Sequence, residues 1–365
     1  MSEVKTSEVQ SGLEGVLAFA TQIAEPDRDG GALRYRGVDI EELVGAVPYE
    51  HVWGLLVDER FEPGLGAAAS QPLRVRSGNV RVDLQSGLAI LGAEWNLGQL
   101  IDIGDEQARD DLARLSAAAL SFVAQSARQP DAPAPSRSQT DEAKSIAESF
   151  LLSWRGEADP AAAKAIDAYW VSAAEHGMNA STFTARVVAS TGADCAAALS
   201  AAVGALSGPL HGGAPSRVLK MLDEVEALGD AERWVKQALD RGERLMGFGH
   251  RVYRAEDPRA RVLRRTAREL GARRLEVAEA LEQAALAELH ARKPDRVLAT
   301  NVEFWSAVVL DFARVPTELF TPMFACARTA GWSAHVLEQK REGRLIRPSA
   351  KYVGPPPRSR DGVAG

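Results

Sequence analysis

The amino-acid sequence predicts an all-α fold, and three observations carry that prediction. From Asp141 onward, apolar residues recur at three- and four-residue spacing through 141–155, 160–175, 179–190 and 193–207. The same spacing returns at 214–227, 230–242, 257–270 and 275–292, and in a last long segment from Thr317 to Arg341 behind Pro316. No run of alternating β-branched residues of the kind that builds a sheet stands among them. Within 196–207 the side chains are nearly all Ala, Ser, Gly or Val, so this helix is expected to pack closely on its neighbours.

The first part of the chain is less regular. Asp39 is placed to cap a helix, with Glu41 and Glu42 in its first turn. Leu73-Arg-Val-Arg and Val80-Arg-Val-Asp alternate around Ser77-Gly-Asn, which reads as a hairpin, although two strands alone are marginal. Helical spacing resumes from Asp83 to Leu100, and the Pro/Ser/Ala-rich stretch Gln129 to Ser138 predicts a loop or hinge. Residues 1–10 and the Pro/Arg/Gly tail 355–365 are expected to be disordered.

Composition excludes several classes of function. A net charge of −7 argues against a nucleic-acid binder, which needs a basic face. Cys195 and Cys326 lie in small or apolar helical patterns and read as buried free thiols of a reducing compartment. The N-terminus has no apolar signal core and no apolar run is long enough to span a bilayer, so a cytoplasmic protein is expected. GxGxxG, GxxxxGK[ST], HExxH and CxxC are all absent, so neither a nucleotide loop nor a metal site is expected.

Three polar knots interrupt the helical pattern. Gly208-Pro-Leu-His-Gly-Gly-Ala sets His211 between glycines, where the backbone comes close to whatever the ring faces; a histidine that caps a helix is an equal reading. Gly247-Phe-Gly-His-Arg-Val-Tyr presents His250 ahead of Arg251, Arg254, Arg259 and Arg261, a set of guanidinium forks suited to a multiply charged anion or to a solvated helix face. Thr300-Asn-Val-Glu-Phe-Trp flanks Glu303 with apolar residues, which suits a partly desolvated general base, or equally a helix-start glutamate. His51 and His290 lie on ordinary helical patterns, and His335 sits inside a long helix where packing is the default role.

Taken together and in order, Glu14-Gly-Val, Leu33-Arg-Tyr-Arg-Gly, Asn179-Ala-Ser-Thr, Gly208-Pro-Leu-His-Gly-Gly-Ala, Gly247-Phe-Gly-His-Arg-Val-Tyr-Arg-Ala-Glu-Asp-Pro-Arg, Asn301-Val-Glu and Arg347-Pro resemble the citrate synthase family from about Gly12 to Gly354. The resemblance implies a large helical domain (1–211 and 311–365) and a smaller one (212–310) closing over a cleft, in a homodimer. It implies catalysis by His211, His250 and Glu303, with Glu303 as base, His211 as donor to the thioester oxygen and His250 acting on the oxaloacetate carbonyl. Oxaloacetate or citrate would be held by His176, Arg259, Arg328 and an Arg347 from the other subunit. Arg254 and the glycines Gly247 and Gly249 would meet CoA. No cofactor is implied beyond the CoA thioester as substrate.

The family usually carries aspartate where this chain has Glu303, and more often aspartate than Glu175 before the histidine. An added methylene at the base matters, since a displacement near 1 Å costs roughly a hundredfold in rate. Three functions remain open on these grounds. They are a citrate synthase using acetyl-CoA, a 2-methylcitrate synthase using propionyl-CoA, and a non-catalytic paralogue that binds CoA or oxaloacetate.

Overall fold

A computed structural model describes residues 11–359 apart from 14, 28, 30, 67–70, 130–133, 213–214, 250–255 and 297. The expected disorder of 1–10 and of 360–365 falls outside these residues, while 355–359 are exposed and without regular structure. The helices are α1 (Ile40–Leu43), α2 (Tyr49–Asp58), α3 (Val80–Glu94), α4 (Asp105–Ala127), α5 (Arg137–Asp141), α6 (Ile146–Arg155), α7 (Pro160–Ala173) and α8 (Ala180–Ser190). They continue through α9 (Cys195–Leu206), α10 (Pro215–Leu228), α11 (Ala231–Asp240), α12 (Pro258–Glu269), α13 (Leu275–Arg292), α14 (Val302–Phe312) and α15 (Phe320–Glu342). The all-α prediction therefore holds, and among the described residues no helix is long and apolar enough to cross a membrane.

Local chemistry explains most helix starts. Asp39, Asn79, Ser145, Asp159, Asn179, Asp194, Asp230, Asp257 and Asn301 each accept a backbone N–H of the first turn they precede. These bonds satisfy donors that have no partner inside the helix. Pro160 and Pro258 open α7 and α12, where a missing N–H costs nothing.

Two expectations need correction. The 71–84 hairpin does not form: 71–78 is irregular, and Asn79 caps a helix that begins at Val80. Asp83, in that first turn, accepts from the N–H and hydroxyl of Ser77, which folds the preceding chain onto the helix and removes the second strand. Conversely, a small antiparallel sheet exists where none was expected, formed by β1 (Ala24–Asp27), β2 (Ala32–Tyr35) and β3 (Val38–Asp39). Arg36 and Gly37, both at positive φ (48° and 86°), make the tight turn between β2 and β3. Strands of two to four residues are too short for alternation to reveal.

Helix α15 forms the centre. Its residues from Phe320 to Gln339 are almost all buried, and it packs on α2, α4, α7, α8 and α9. Gly331 permits the closest approach: its N–H reaches Ala174 O at 3.2 Å, and a side-chain carbon there would collide with the Glu175 carboxylate. Helices α10, α11 and α13 pack on one another, α14 joins α10 and α12, and α12 and α14 also touch α7; Arg259 at the start of α12 acts electrostatically on Tyr169 near the end of α7.

The end of α7 is secured by β2. Tyr35 Oη lies 3.1, 3.2 and 3.0 Å from the carbonyl oxygens of Val171, Ser172 and Glu175, and accepts the Glu175 N–H at 3.3 Å. Replacing Tyr35 with Phe leaves these buried groups short of a partner. Urea denaturation of Tyr35→Phe is expected to show a loss of about 1–3 kcal/mol; an unchanged midpoint would remove this role from the hydroxyl.

Candidate active site

His211 lies in the turn after α9, which is held by hydrogen bonds from the N–H groups of His211 and Gly212 to Gly208 O at 2.9 and 3.2 Å. Thr321 donates to Gly212 O at 2.9 Å, so the turn is pinned to the start of α15. The imidazole Nε2 accepts the backbone N–H of Ser181 at 3.3 Å, and Ser181 Oγ stands 2.9 Å from the same nitrogen. Trp332 Nε1 donates to that hydroxyl at 3.2 Å. Ser181 is in the first turn of α8, so His211 does cap a helix, and the capping bond determines its tautomer. With Nε2 an acceptor, the ring proton resides on Nδ1. Burial, reinforced by the charge of Arg328, lowers the imidazole pKa to about 4. His211 is therefore a neutral donor through Nδ1 at physiological pH.

Glu303 occupies the first turn of α14, where its N–H donates to Asn301 Oδ1 at 3.0 Å. Its half-buried carboxylate accepts no hydrogen bond among the described residues. Burial raises its pKa, Arg259 opposes the rise and Asp257 adds to it, with a net shift upward. Both sequence readings of Glu303 thus hold at once: it starts a helix, and it is a desolvated carboxylate.

The loop that leads to residue 250 is stitched to the start of α14. Gly249 donates to Ala299 O at 2.7 Å, Asn301 N–H donates to Gly247 O at 2.9 Å, and the Asn301 side chain donates to Gly249 O at 2.8 Å. Gly247 is at φ +87°, and a Cβ there would stand 2.8 Å from that of Phe304. Gly249 also has positive φ, +84°. His250 and Arg254, predicted for catalysis and for CoA, lie outside the described residues.

Two buried arginines stand between these groups. Arg259, in the first turn of α12, donates through Nε and Nη2 to the Asp257 carboxylate at 3.0 and 2.8 Å. Asp257 Oδ2 also accepts the N–H of Val302 at 3.0 Å, so one carboxylate joins the starts of α12 and α14. Arg328, on α15, donates from Nε to Ala173 O at 3.0 Å and lies over the Phe324 ring at 4.7 Å. Burial lowers its pKa, Glu175 opposes this, and Arg259 lowers it further. It stays protonated even so.

Mutual electrostatic influence links His211 to Arg328, Arg328 to Arg259 and Arg259 to Glu303. The buried His176 lies beyond the end of α7, directly after Glu175, whose carboxylate feels the charge of Arg328. Arg347 is not brought to it: it is exposed on the segment after α15, beside Ile346, whose N–H donates to Ser190 Oγ at 3.1 Å. Sequence reading missed Ser181, Trp332 and Asp257 as supporting residues. Asp257 carried a signal, because Asp-Pro-Arg is a helix cap followed by proline at the first helical position. No group of residues suited to a metal occurs among those described.

A family model described as citrate synthase, C-terminal domain, matches residues 12–349. A Mycobacterium tuberculosis relative, provisionally named citrate synthase 2, is 65% identical over 97% of this chain and 95% of its own length. A 2-methylcitrate synthase of Shewanella oneidensis is 33% identical, covering 95% of this chain and 96% of that protein. Among solved structures, the citrate synthase of Thermoplasma acidophilum in ternary complex with carboxymethyl coenzyme A and oxaloacetate is similar with a TM-score of 0.80. That match has 28% identity and covers 97% of this chain and 98% of that one.

The His211 environment generates a test. In NMR titration of the folded protein, the His211 ring is expected to stay neutral down to about pH 5, with its transition at about 4. The unfolded imidazole takes up its proton near 6.5, so His211 lowers stability as the pH falls from about 6.5 toward 4. A His211 transition above pH 6 would contradict the geometry.

Proposed function

The chain belongs to the citrate synthase family, and from that premise we propose that it condenses acetyl-CoA with oxaloacetate and water to give citrate and free CoA. The observation that carries this reading is the array just described: a neutral histidine and a raised carboxylate linked electrostatically through two buried arginines.

The reaction must first remove a proton from a carbon next to a thioester. That calls for a base on one side and a hydrogen-bond donor at the developing enolate oxygen on the other. Glu303, its pKa raised by burial, takes the proton. His211 donates from Nδ1 to the oxygen, and because it begins neutral it shares a proton without adding a charge. The new carbon nucleophile then attacks the oxaloacetate carbonyl, which His250 polarises and whose alkoxide it protonates. Arg259, Arg328 and His176 hold the carboxylates, with Arg347 reaching in from a second copy of the chain. The exposure of Arg347 in the single chain, on a segment with Leu345, Tyr352 and Val353 also exposed, supports that assembly. Hydrolysis of the resulting citryl-CoA releases CoA and calls on no cofactor.

We extend the proposal to domain closure: residues 212–310 form the smaller domain and close on oxaloacetate before the thioester enters. The contacts of α12 and α14 with α7 support α7 as the surface they close against. The likeness to a 2-methylcitrate synthase supports the alternative reading, a 2-methylcitrate synthase that takes propionyl-CoA in place of acetyl-CoA. One methylene in a pocket is worth only about 1–3 kcal/mol, so the two donors are separated by rate rather than by mechanism. A non-catalytic role suits the array poorly, since a binding protein needs neither a desolvated base nor a tautomer-locked donor.

Release of free CoA thiol, followed with acetyl-CoA and with propionyl-CoA in the presence of oxaloacetate, tests the reading. Glu303→Gln is expected to lose at least about a hundredfold in kcat. Glu303→Asp, which retracts the carboxylate by one methylene, is expected to lose roughly a hundredfold as well. Absence of thiol release by the wild type with either donor would sink the enzymatic proposal. Full activity of Glu303→Gln would sink the base assignment.

A further inference from the structure

Behind Arg328 lies a buried polar chain that the mechanism does not use. Arg186, wholly buried on α8, is held by Glu338, by Gln339 (Nε to Oε1, 3.0 Å) and by Glu342 (3.1 Å). Its Nη1 stands 3.2 Å from Nδ1 of the fully buried His335. A guanidinium only donates, so Nδ1 accepts and the imidazole proton sits on Nε2. That nitrogen faces Glu175 Oε1 at 3.4 Å, a long contact that aims the ring N–H at the carboxylate.

Glu175 is an unusual carboxylate. It is fully buried, yet neither oxygen accepts a hydrogen bond of good geometry among the described residues. Burial acts to raise its pKa, but His335 and then Arg328 outweigh that and hold it below the usual range, so it is charged. Arg328 is close enough for the two charges to act on each other, and among the described residues only its Nε is engaged in a hydrogen bond. A carboxylate whose oxygens lack well-formed hydrogen bonds, beside a guanidinium with unused Nη groups, gains a bidentate pair by turning toward it. Such a pair would occupy the donors that a substrate carboxylate needs. The carboxylate is instead drawn toward His335, whose ring is anchored from behind by Arg186. Gly331 leaves it the room, since a side-chain carbon there would strike Oε2.

We propose that His335 is a positioning residue for dicarboxylate binding, holding Glu175 off the Nη groups of Arg328 so that these stay available to the substrate. The proposal rests on the oxaloacetate reading above. In it, Glu175 is a latent internal competitor, and His335 is what restrains it.

Titration calorimetry of oxaloacetate alone into the full chain tests this, with unfolding temperatures recorded alongside. His335→Leu is expected to weaken oxaloacetate roughly tenfold, the scale of one charge-assisted hydrogen bond. Glu175→Gln, which keeps the shape but removes the competing charge, is expected to bind at least as tightly as wild type. The double variant is expected to return to within about twofold of wild type, a rescue that a merely structural histidine would not show. Unchanged binding by His335→Leu, or a double variant as weak as His335→Leu, overturns the proposal. If His335→Leu does not fold, Glu175→Gln decides: a roughly tenfold weakening overturns the proposal, and equal or tighter binding upholds it. Wild type that binds no oxaloacetate overturns the substrate reading and this proposal with it. Wild-type binding with no effect of His335→Leu overturns this proposal alone.

Discussion

Two guanidinium groups buried near one another constrain everything around them. Removing a charge from water costs several kcal/mol even after the protein relaxes, and two like charges add repulsion to that cost. The fold treats the two differently. Arg259 is closed into a two-pronged pair with Asp257, whereas Arg328 has a single carbonyl, an aromatic face and a carboxylate at a distance. The incompletely satisfied one is the one that influences His211, and its positive charge is part of why that imidazole stays neutral. In the proposed reaction, anion binding and proton donation thus share one physical origin.

Helix α15 makes this burial possible. It carries Arg328, Trp332 and His335 along its length, and other helices, α2, α4, α7, α8 and α9 chief among them, cover it. A helix buried on all sides is ordinarily apolar all round. This one carries polar groups that are matched individually. Tyr49 Oη meets the Cys326 and Ala327 carbonyls at 2.8 and 3.0 Å, Ser333 meets Ser116 at 3.2 Å, and Gln339 links Arg186 to Arg344 O. The small residues between them let the surrounding helices approach closely enough to supply those partners.

Much of this was legible in the sequence, for identifiable reasons. Helices α7, α8, α9, α11, α12 and α14 begin at side-chain caps, and α13, which has none, was read with both boundaries right, at 275 and 292. His211 and Glu303 stood out because each breaks a pattern. The sheet at 24–39 was hidden because its strands are too short to show a period, and the 71–84 region misled because Val80 and Val82 alternate as well in a first helical turn as in a strand. His335 looked like a packing residue because a single helix pattern says nothing of what lies across it. Its partners are 149 and 160 positions away in sequence, at Arg186 and Glu175. Ser181 acts through its backbone N–H as well as its hydroxyl, and an N–H leaves no trace in side-chain patterning; Asp257 carried a cap signal, but nothing in it named Val302 as a partner.

The joint at Asp257 has a consequence for how such a chain can change over generations. One carboxylate sets both the guanidinium proposed to grip a dicarboxylate and the helix end that carries the proposed base. A replacement that shifts α14 to suit a longer or shorter base must also shift Arg259. The length of the base and the grip on the second substrate therefore form one inherited trait, and a mutation that retunes either is selected on both. Glu303 in this setting is then best seen as one half of a matched pair, with the other half written at the start of α12.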